Sequence, residues 1–406
     1  MTVEKITAVV RVSTPTVVPL PVTDDSQSVI LEPYHVDLLP EYGYASMEYL
    51  ISGEAYGEPY CTRLLLRCPD DASRFTGFVV MEPSHLCGGT SIWRHTSRWL
   101  MRNGHAWLEV DSQATSAVGK IKNVDPERYK GIRFIPGPIS DEFAANIPFI
   151  RDATKEVLSE AYTDYKAKWW PATLQSPEIL TAASHALRSG ALGLVAQRVF
   201  LSGLSQTGGV TRRFITHSSH LRLPNGSPPF EGFLPCQSGG EALPDVPGAK
   251  IIELVGEAEF QSVRFPCGIG GQMRGTAHRR PDSDTFRLYE TRDADVYPSP
   301  GANIDTIGES DDILRDEYGN AVGGVRTVHS DAPLATFVAA TPKGRPNLYW
   351  GSQWAFSPEK MQVIYKRVEN YRLIAGRAIQ KQIQQGFLLP VDAEVLRRET
   401  IEAVHF

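Results

Sequence analysis

The first 80 positions alternate short β-branched or aromatic runs with Gly, Pro and Asp, and this rhythm predicts strands at 8–12, 45–52 and 63–67. The pattern then changes. GFVVMEP (77–83) is a continuous apolar run, HLCGG (85–89) reads as a loop, SIWRHTSRWLMRNG (91–104) as an amphipathic helix stopping at Gly104, and HAWLEV (105–110) as a second apolar run. Continuous apolar strands alternating with helices predict an α/β fold, a mostly parallel central sheet buried on both faces by flanking helices.

A long insertion, 114–194, contains KWWPATLQSPEILTAASHALRSG; its clearest helix begins at Ser176, an N-cap followed by Pro177 at the first helical position. Further strands are expected within 230–239, 249–260 and 285–290. The Gly/Pro/Asp-rich stretch 296–333 reads as irregular loop. A helical pattern then runs from Ser357, as N-cap before Pro358, to a stop at Gly386. With neither an internal repeat nor a low-complexity linker, the chain is expected to form a single domain over 1–406, with 114–194 and 296–333 as insertions covering a pocket.

RVFLSGLSQTGGVTRRF (198–214) joins a strand to a helix through a serine two residues after a glycine. A sharp strand-to-helix turn forces its nucleophile into a strained backbone conformation and demands small neighbours, which Gly203 supplies for Ser205. The usual second glycine is replaced by Thr207, with Gly208 and Gly209 following. The helix beginning here aims its first amides at a developing oxyanion, and Gln206 N–H is the natural first donor. Cys87 and Gly88 of the HLCGG loop are the expected neighbourhood of the second.

A serine needs a base, which in this arrangement follows it in sequence. Of the histidines after Ser205, His217 and His220 fall on or just past the elbow helix and His405 is terminal. His278 precedes the last sheet strand, which leaves His329 as the better-placed base. For the acid, Glu257 and Glu259 follow the KIIELV strand, while Glu231 enters the strand after the elbow helix. Spacing favours Glu257 or Glu259.

Composition narrows the function without naming it. The chain has 406 residues, 42% of them hydrophobic and 22% charged, and a net charge of -6 with both signs mixed, so neither a basic stripe for nucleic acid nor an acidic tail is present. The N-terminal 25 residues lack the basic start and long apolar run of a secretory signal, and no stretch approaches the roughly 20 apolar residues of a membrane helix. Five scattered cysteines form no CxxC pair, consistent with a reducing, cytoplasmic setting and with no structural metal. A homodimer is left open.

EYGYASMEYLISGEA, YCTRLLLRCPDDASRFTGFVVME, LSGLSQTGG, PFEGFLP, DEYGNAVGGVRT and GFLLPVDAEVL occur in this order. Together they resemble the α/β-hydrolase domain family to which the sulfonylurea-herbicide de-esterifying esterase belongs, over nearly the whole chain. The resemblance implies a serine carboxylesterase acting on a small-molecule ester through an acyl-enzyme, without metal or cofactor. It puts the nucleophile at Ser205, the base just after GGVR at His329, and the acid at Glu231, with Glu257 as the alternative. Many relatives carry a histidine after the last strand in a motif like WEVAGTAH, where this chain has YETRDADVY (289–297). Trp169, Trp170, Tyr289 and Trp354 are candidate pocket walls for an aromatic or apolar acyl group. The same triad would serve an acyltransferase, and a silent hydrolase fold would be a binding protein.

Overall fold

The computed structural model describes residues 9–85, 91–135, 174–257, 276–291, 303–307, 312–338 and 352–406. The chain divides into two compact units. The first comprises Met1–Ser238, Leu243–Ile252 and Arg264–Gly271; the second comprises Gly239–Ala242, Glu253–Val263 and Gln272–Phe406.

In the first unit the early strand-and-turn rhythm becomes β1 (Val10–Arg11), β2 (Thr16–Pro19), β3 (Tyr44–Ala55) and β4 (Glu58–Pro69). The apolar runs become β5 (Phe78–Pro83), β6 (Ala106–Val110), β7 (Arg198–Leu204), β9 (Gly232–Cys236) and the first residues of β10 (Lys250–Gly256). The short β8 (Leu221–Arg222) pairs with β1. The sheet runs β10-β9-β7-β5-β6-β4-β3-β2. Neighbours from β9 through β7 and β5 to β6 are parallel, whereas β4, β3 and β2 are antiparallel additions at one side. Val79, Met81, Leu108, Val199 and Leu201 are buried along the parallel strands, as continuous apolar runs require.

Among the described residues, three longer helices flank these strands. α1 (Ile92–Arg102) buries Ile92, Trp93, Leu100 and Met101, the one-sided stripe expected of an amphipathic helix. α2 (Ser176–Arg188) starts where predicted, with Gln175 rather than Ser176 at the cap position and the Ser176 hydroxyl turned to Ser112 Oγ at 2.8 Å. It is buried along almost its whole length, so this end of the 114–194 segment is core. At the other end Ala117, Ile121, Tyr129 and Ile132 form a buried cluster of their own. Residues 136–173, including Trp169 and Trp170, lie outside the described residues. α3 (Gln206–Arg213) follows β7 directly.

The antiparallel side carries a buried charge cluster. Arg63 on β4, with no exposed side-chain surface, is held by Glu48, by Asp111 at 2.9 Å and by Glu109 at 3.1 Å, and Arg128 and the Tyr129 hydroxyl also serve Glu48. Ionic groups survive burial only with partners of this kind.

In the second unit the last residues of β10 lie beside β11 (Phe286–Thr291). The stretch expected to be irregular forms short bridges, Ile304 to Gly323, Thr306 to Ile313 and Arg315 to Ala321. The single helical turn α4 (Val328–Asp331) and the hairpin of β12 (Ala335–Val338) with β13 (Ser352–Ala355) follow. The one long C-terminal helix is in fact two, α5 (Pro358–Tyr365) and α6 (Val368–Gln384), and α7 (Pro390–Arg397) comes after. Ser357 caps α5 as predicted, accepting from Lys360 N at 3.2 Å. The break is at Lys366, whose φ of 68 no local glycine or proline announces. Tertiary contacts flank it: the Tyr365 hydroxyl donates to Pro333 O at 2.8 Å, and its ring meets Tyr371 edge-on at 5.2 Å across the break. Among the described residues no helix is long and apolar enough to cross a membrane.

Candidate active site

At the C-terminal end of β7 the chain turns into α3 through Ser205, which adopts φ 58 and ψ -117, a region that non-glycine residues seldom enter. The surroundings hold it there. Ser205 N donates to Cys236 O at 2.9 Å on neighbouring β9, and Ser205 O accepts from Gly209 N at 3.0 Å. A Cβ on Gly203 would sit 2.2 Å from Thr207 O, so the glycine two residues before the serine is a steric necessity.

The departure from the usual motif has a physical explanation. Thr207 is fully buried and turns its hydroxyl back onto the turn, donating to Leu204 O and accepting from Leu204 N, both at 2.9 Å. The crowded position is one residue later: a Cβ on Gly208 would lie 2.4 Å from Cys236 O and 2.6 Å from Ser238 Oγ. The second glycine of the motif is thus displaced by one residue, and a threonine staples the place it vacates.

The family match decides the class. A model of the alpha/beta hydrolase domain matches residues 16–294 and 292–398. The chain belongs to the alpha/beta hydrolase domain family. Its fold is the α/β-hydrolase fold, as the sequence predicts. No curated protein matches it. Among solved structures it is similar to LpqC, a poly(3-hydroxybutyrate) depolymerase from Bordetella parapertussis, at 13% identity over 64% of this chain and 88% of that one, with a TM-score of 0.31. An acetyl xylan esterase from Paenibacillus sp. R4 is 13% identical over 55% of this chain and 52% of its own, TM-score 0.27. The cell-wall-degrading esterase LipA from Xanthomonas oryzae is 13% identical over 57% and 50%, TM-score 0.26.

In this hydrolase domain Glu231 stands apart from Ser205. It enters β9, where its N–H donates to Val199 O at 3.1 Å and its carboxylate accepts from Val199 N at 2.7 Å and from Arg188 at 2.7 and 2.8 Å. Val199 and Ser205 lie at opposite ends of β7, roughly 20 Å apart at ~3.3 Å per residue. Glu231 thus stands a strand length from Ser205; it caps the start of β7 and pairs with a helix of the core.

Cys87 and Gly88 lie outside the described residues, but the chain on both sides of 86–90 is well anchored. On β5, Glu82 accepts from Ile92 N at 2.8 Å, Trp93 N at 3.4 Å and Trp107 Nε1 at 2.8 Å. It thereby caps α1 in place of Ser91, whose hydroxyl serves Glu32 at 3.3 Å. Burial pushes the Glu82 carboxyl up to about 8 against the pull of those donors. Burial first and Lys120 second hold His85 down to about 4, so its imidazole is neutral at pH 7.

In the second unit His329 occupies α4, a turn closed by reciprocal capping of Thr327 and Ser330. Its half-buried ring lies 6.2 Å from Phe337. Glu257 directly follows β10, is buried, and accepts from Arg315 at 2.6 Å; Glu259 lies outside the described residues. His278, passed over in the sequence, is also buried and meets Glu290 at 2.7 Å, where Arg279 adds bonds of 2.8 and 2.7 Å. Burial alone would raise the Glu290 carboxyl, yet the hydrogen bonds from Arg279 and His278 hold it below the ordinary carboxylate range. Tyr289 is buried on β11 and Trp354 is exposed on β13.

Proposed function

We propose that this protein is a serine hydrolase of carboxylic esters. Ser205 attacks the ester carbonyl, His329 takes its proton and returns it to the leaving alcohol, and water then cleaves the acyl-enzyme. Gln206 N–H, the first amide of α3, is the first oxyanion donor, and Cys87 and Gly88 are the neighbourhood of the second. The observation carrying this reading is the strained backbone of Ser205, enforced by Gly203 and Gly208 at a strand-to-helix turn. Strain retained by such packing marks a residue whose position matters more than its comfort.

With Glu231 at the far end of β7, the acid is assigned to Glu257. It satisfies the order nucleophile, acid, histidine along the chain and follows a sheet strand directly. His278 is given no catalytic part, because it precedes β11, whereas the base is expected after the last sheet strand. The substrate class is a small to medium ester with an aromatic or apolar acyl group.

Hydrolysis of p-nitrophenyl acetate and butyrate tests the assignment. Ser205→Ala and His329→Ala are each expected to lower kcat by at least ~10³-fold, while His278→Asn retains turnover per folded molecule. Full activity in His329→Ala removes it as the base, and wild-type protein inert toward both esters and toward a fluorophosphonate removes the reading as a whole.

A further inference from the structure

The backbone conformation of Ser205 is the rotation between two rigid peptide planes, Leu204–Ser205 before its Cα and Ser205–Gln206 after it. The second plane is held through Ser205 O, which accepts from Gly209 N at 3.0 Å. The first is held at both ends. Its N–H donates to Cys236 O on β9 at 2.9 Å, and its carbonyl, Leu204 O, accepts from Thr207 Oγ1 at 2.9 Å. Of these bonds only the one from Thr207 is made by a side chain.

The threonine answers a local shortage. Along a strand the N–H and C=O of one residue point to the same neighbouring strand, and those of the next residue point to the opposite one. Ser205 N faces β9, so Leu204 N and O face β5, whose ladder with β7 pairs Phe78–Met81 with Arg198–Leu201 and stops short of Leu204. Leu204 is buried, which leaves these groups little water to turn to. The Thr207 hydroxyl serves both: it accepts from Leu204 N and donates its one proton to Leu204 O, each at 2.9 Å. Thr207 is itself fully buried near the start of α3, and its branched side chain is restricted about χ1, so the hydroxyl has a fixed seat.

We infer, on the reading of Ser205 as the nucleophile, that Thr207 is a positioning residue for ester hydrolysis: by clamping the carbonyl end of the Leu204–Ser205 peptide it holds Ser205 at its strained rotation and fixes where the nucleophilic hydroxyl stands. One hydrogen bond at one end of a peptide leaves the plane free to swing about that bond, whereas bonds at both ends stop it. Strain supplies the tendency to swing, because the relaxed conformations of a serine lie elsewhere. Loss of the hydroxyl would also strip Leu204 N and O of a buried partner, a second reason for the plane to rotate. A nucleophile displaced by even about 1 Å loses reactivity out of all proportion to the shift.

The test measures kcat and KM for p-nitrophenyl butyrate per active site, titrated to its end point with a fluorophosphonate, together with the rate constant of that inactivation. Thr207→Val, nearly the same in shape, is expected to lower kcat about tenfold with KM within about twofold, and to slow inactivation in proportion. Thr207→Ala, which removes the hydroxyl without adding bulk, should do the same. Thr207→Ser keeps both bonds and should stay within about threefold of wild type. Thr207→Cys, whose thiol bonds more weakly, should fall between Thr207→Ser and Thr207→Val, and decides the matter should Thr207→Val not fold. Wild-type kcat per titrated site in Thr207→Ala or Thr207→Val overturns the inference. So does a Thr207→Ser as slow as Thr207→Val, or a loss confined to folded yield with the inactivation rate unchanged. A wild-type protein that neither turns over ester nor takes up fluorophosphonate overturns the underlying reading of Ser205, and the inference with it.

Discussion

Ser205 and Glu48 belong to the same unit, and each occupies a place its chemistry disfavours: a serine at φ 58, and a carboxylate with no exposed side-chain surface. The cost at Glu48 is met on the spot, by the guanidiniums of Arg63 and Arg128 and by the Tyr129 hydroxyl at 2.9 Å. At Ser205 the hydrogen bonds to Cys236 O and from Gly209 N hold the strained conformation, and Gly203 and Gly208 make room for it. A disfavoured residue with full compensation belongs to the architecture, whereas one held in strain points to function.

The sharpest way to break the contrast is to remove the room. Gly203→Ala places a Cβ 2.2 Å from a backbone oxygen with no flexible side chain able to yield. Loss of more than ~4 kcal/mol, or no folded protein at all, is expected in urea titrations. Unchanged stability would mean the turn is looser than its contacts indicate.

Next in size is the compensated site. Glu48→Ala leaves Arg63 and Arg128 without their shared partner and should cost about 3–5 kcal/mol, with kcat per folded molecule unaltered. The pH dependence follows from the same contacts. Burial would raise the Glu48 carboxyl, but Arg63 and Arg128 outweigh it and hold it below its ordinary 4.5. A carboxyl depressed in the folded state contributes stability that is present above its unfolded value and is lost as pH falls through its folded one. Wild type should therefore lose stability on acidification below about pH 4.5, and a Glu48→Gln variant should lose less over the same range.

A smaller effect of opposite sign separates the two places further. Ser205→Gly accepts φ 58 without strain, so it should abolish turnover yet raise stability by about 1 kcal/mol, read as a higher urea midpoint at unchanged slope. No substitution at Glu48 should stabilise the fold while abolishing activity.

The same contrast explains what was legible in the sequence. Strands β3 to β7 and β9 to β11 could be read because continuous apolar runs between turn residues have few other uses. The sharp turn at Ser205 could be read because glycine spacing at a strand-to-helix junction encodes a steric demand. The break at Lys366 could not, since no helix-stopping residue marks it and Tyr365 there bonds to Pro333 O, 32 positions away, while its ring meets Tyr371 across the break. The side-chain pair of Gln113 and Gln206 could not either, for two glutamines 93 positions apart carry no local signature.

Glu231 stands away from Ser205 for a different reason, and its variant is the most discriminating of the small effects. After a nucleophile elbow the helix carries the chain back along the sheet, so the residue entering the next parallel strand lies a full strand length from the serine. Nearness in sequence to the elbow helix thus implies distance from the elbow itself. The partners of Glu231 bear this out: Val199 N at the start of β7 and Arg188 on α2 satisfy its carboxylate. Its side chain is 38% exposed, so the pair is screened and Glu231→Gln should cost no more than about 1 kcal/mol. Turnover should stay within about twofold of wild type, whereas Glu257→Gln should lower kcat by 10²-fold or more if it orients His329, an order set by the loss of a triad acid. A kcat that collapses in Glu231→Gln and survives in Glu257→Gln would reverse the assignment.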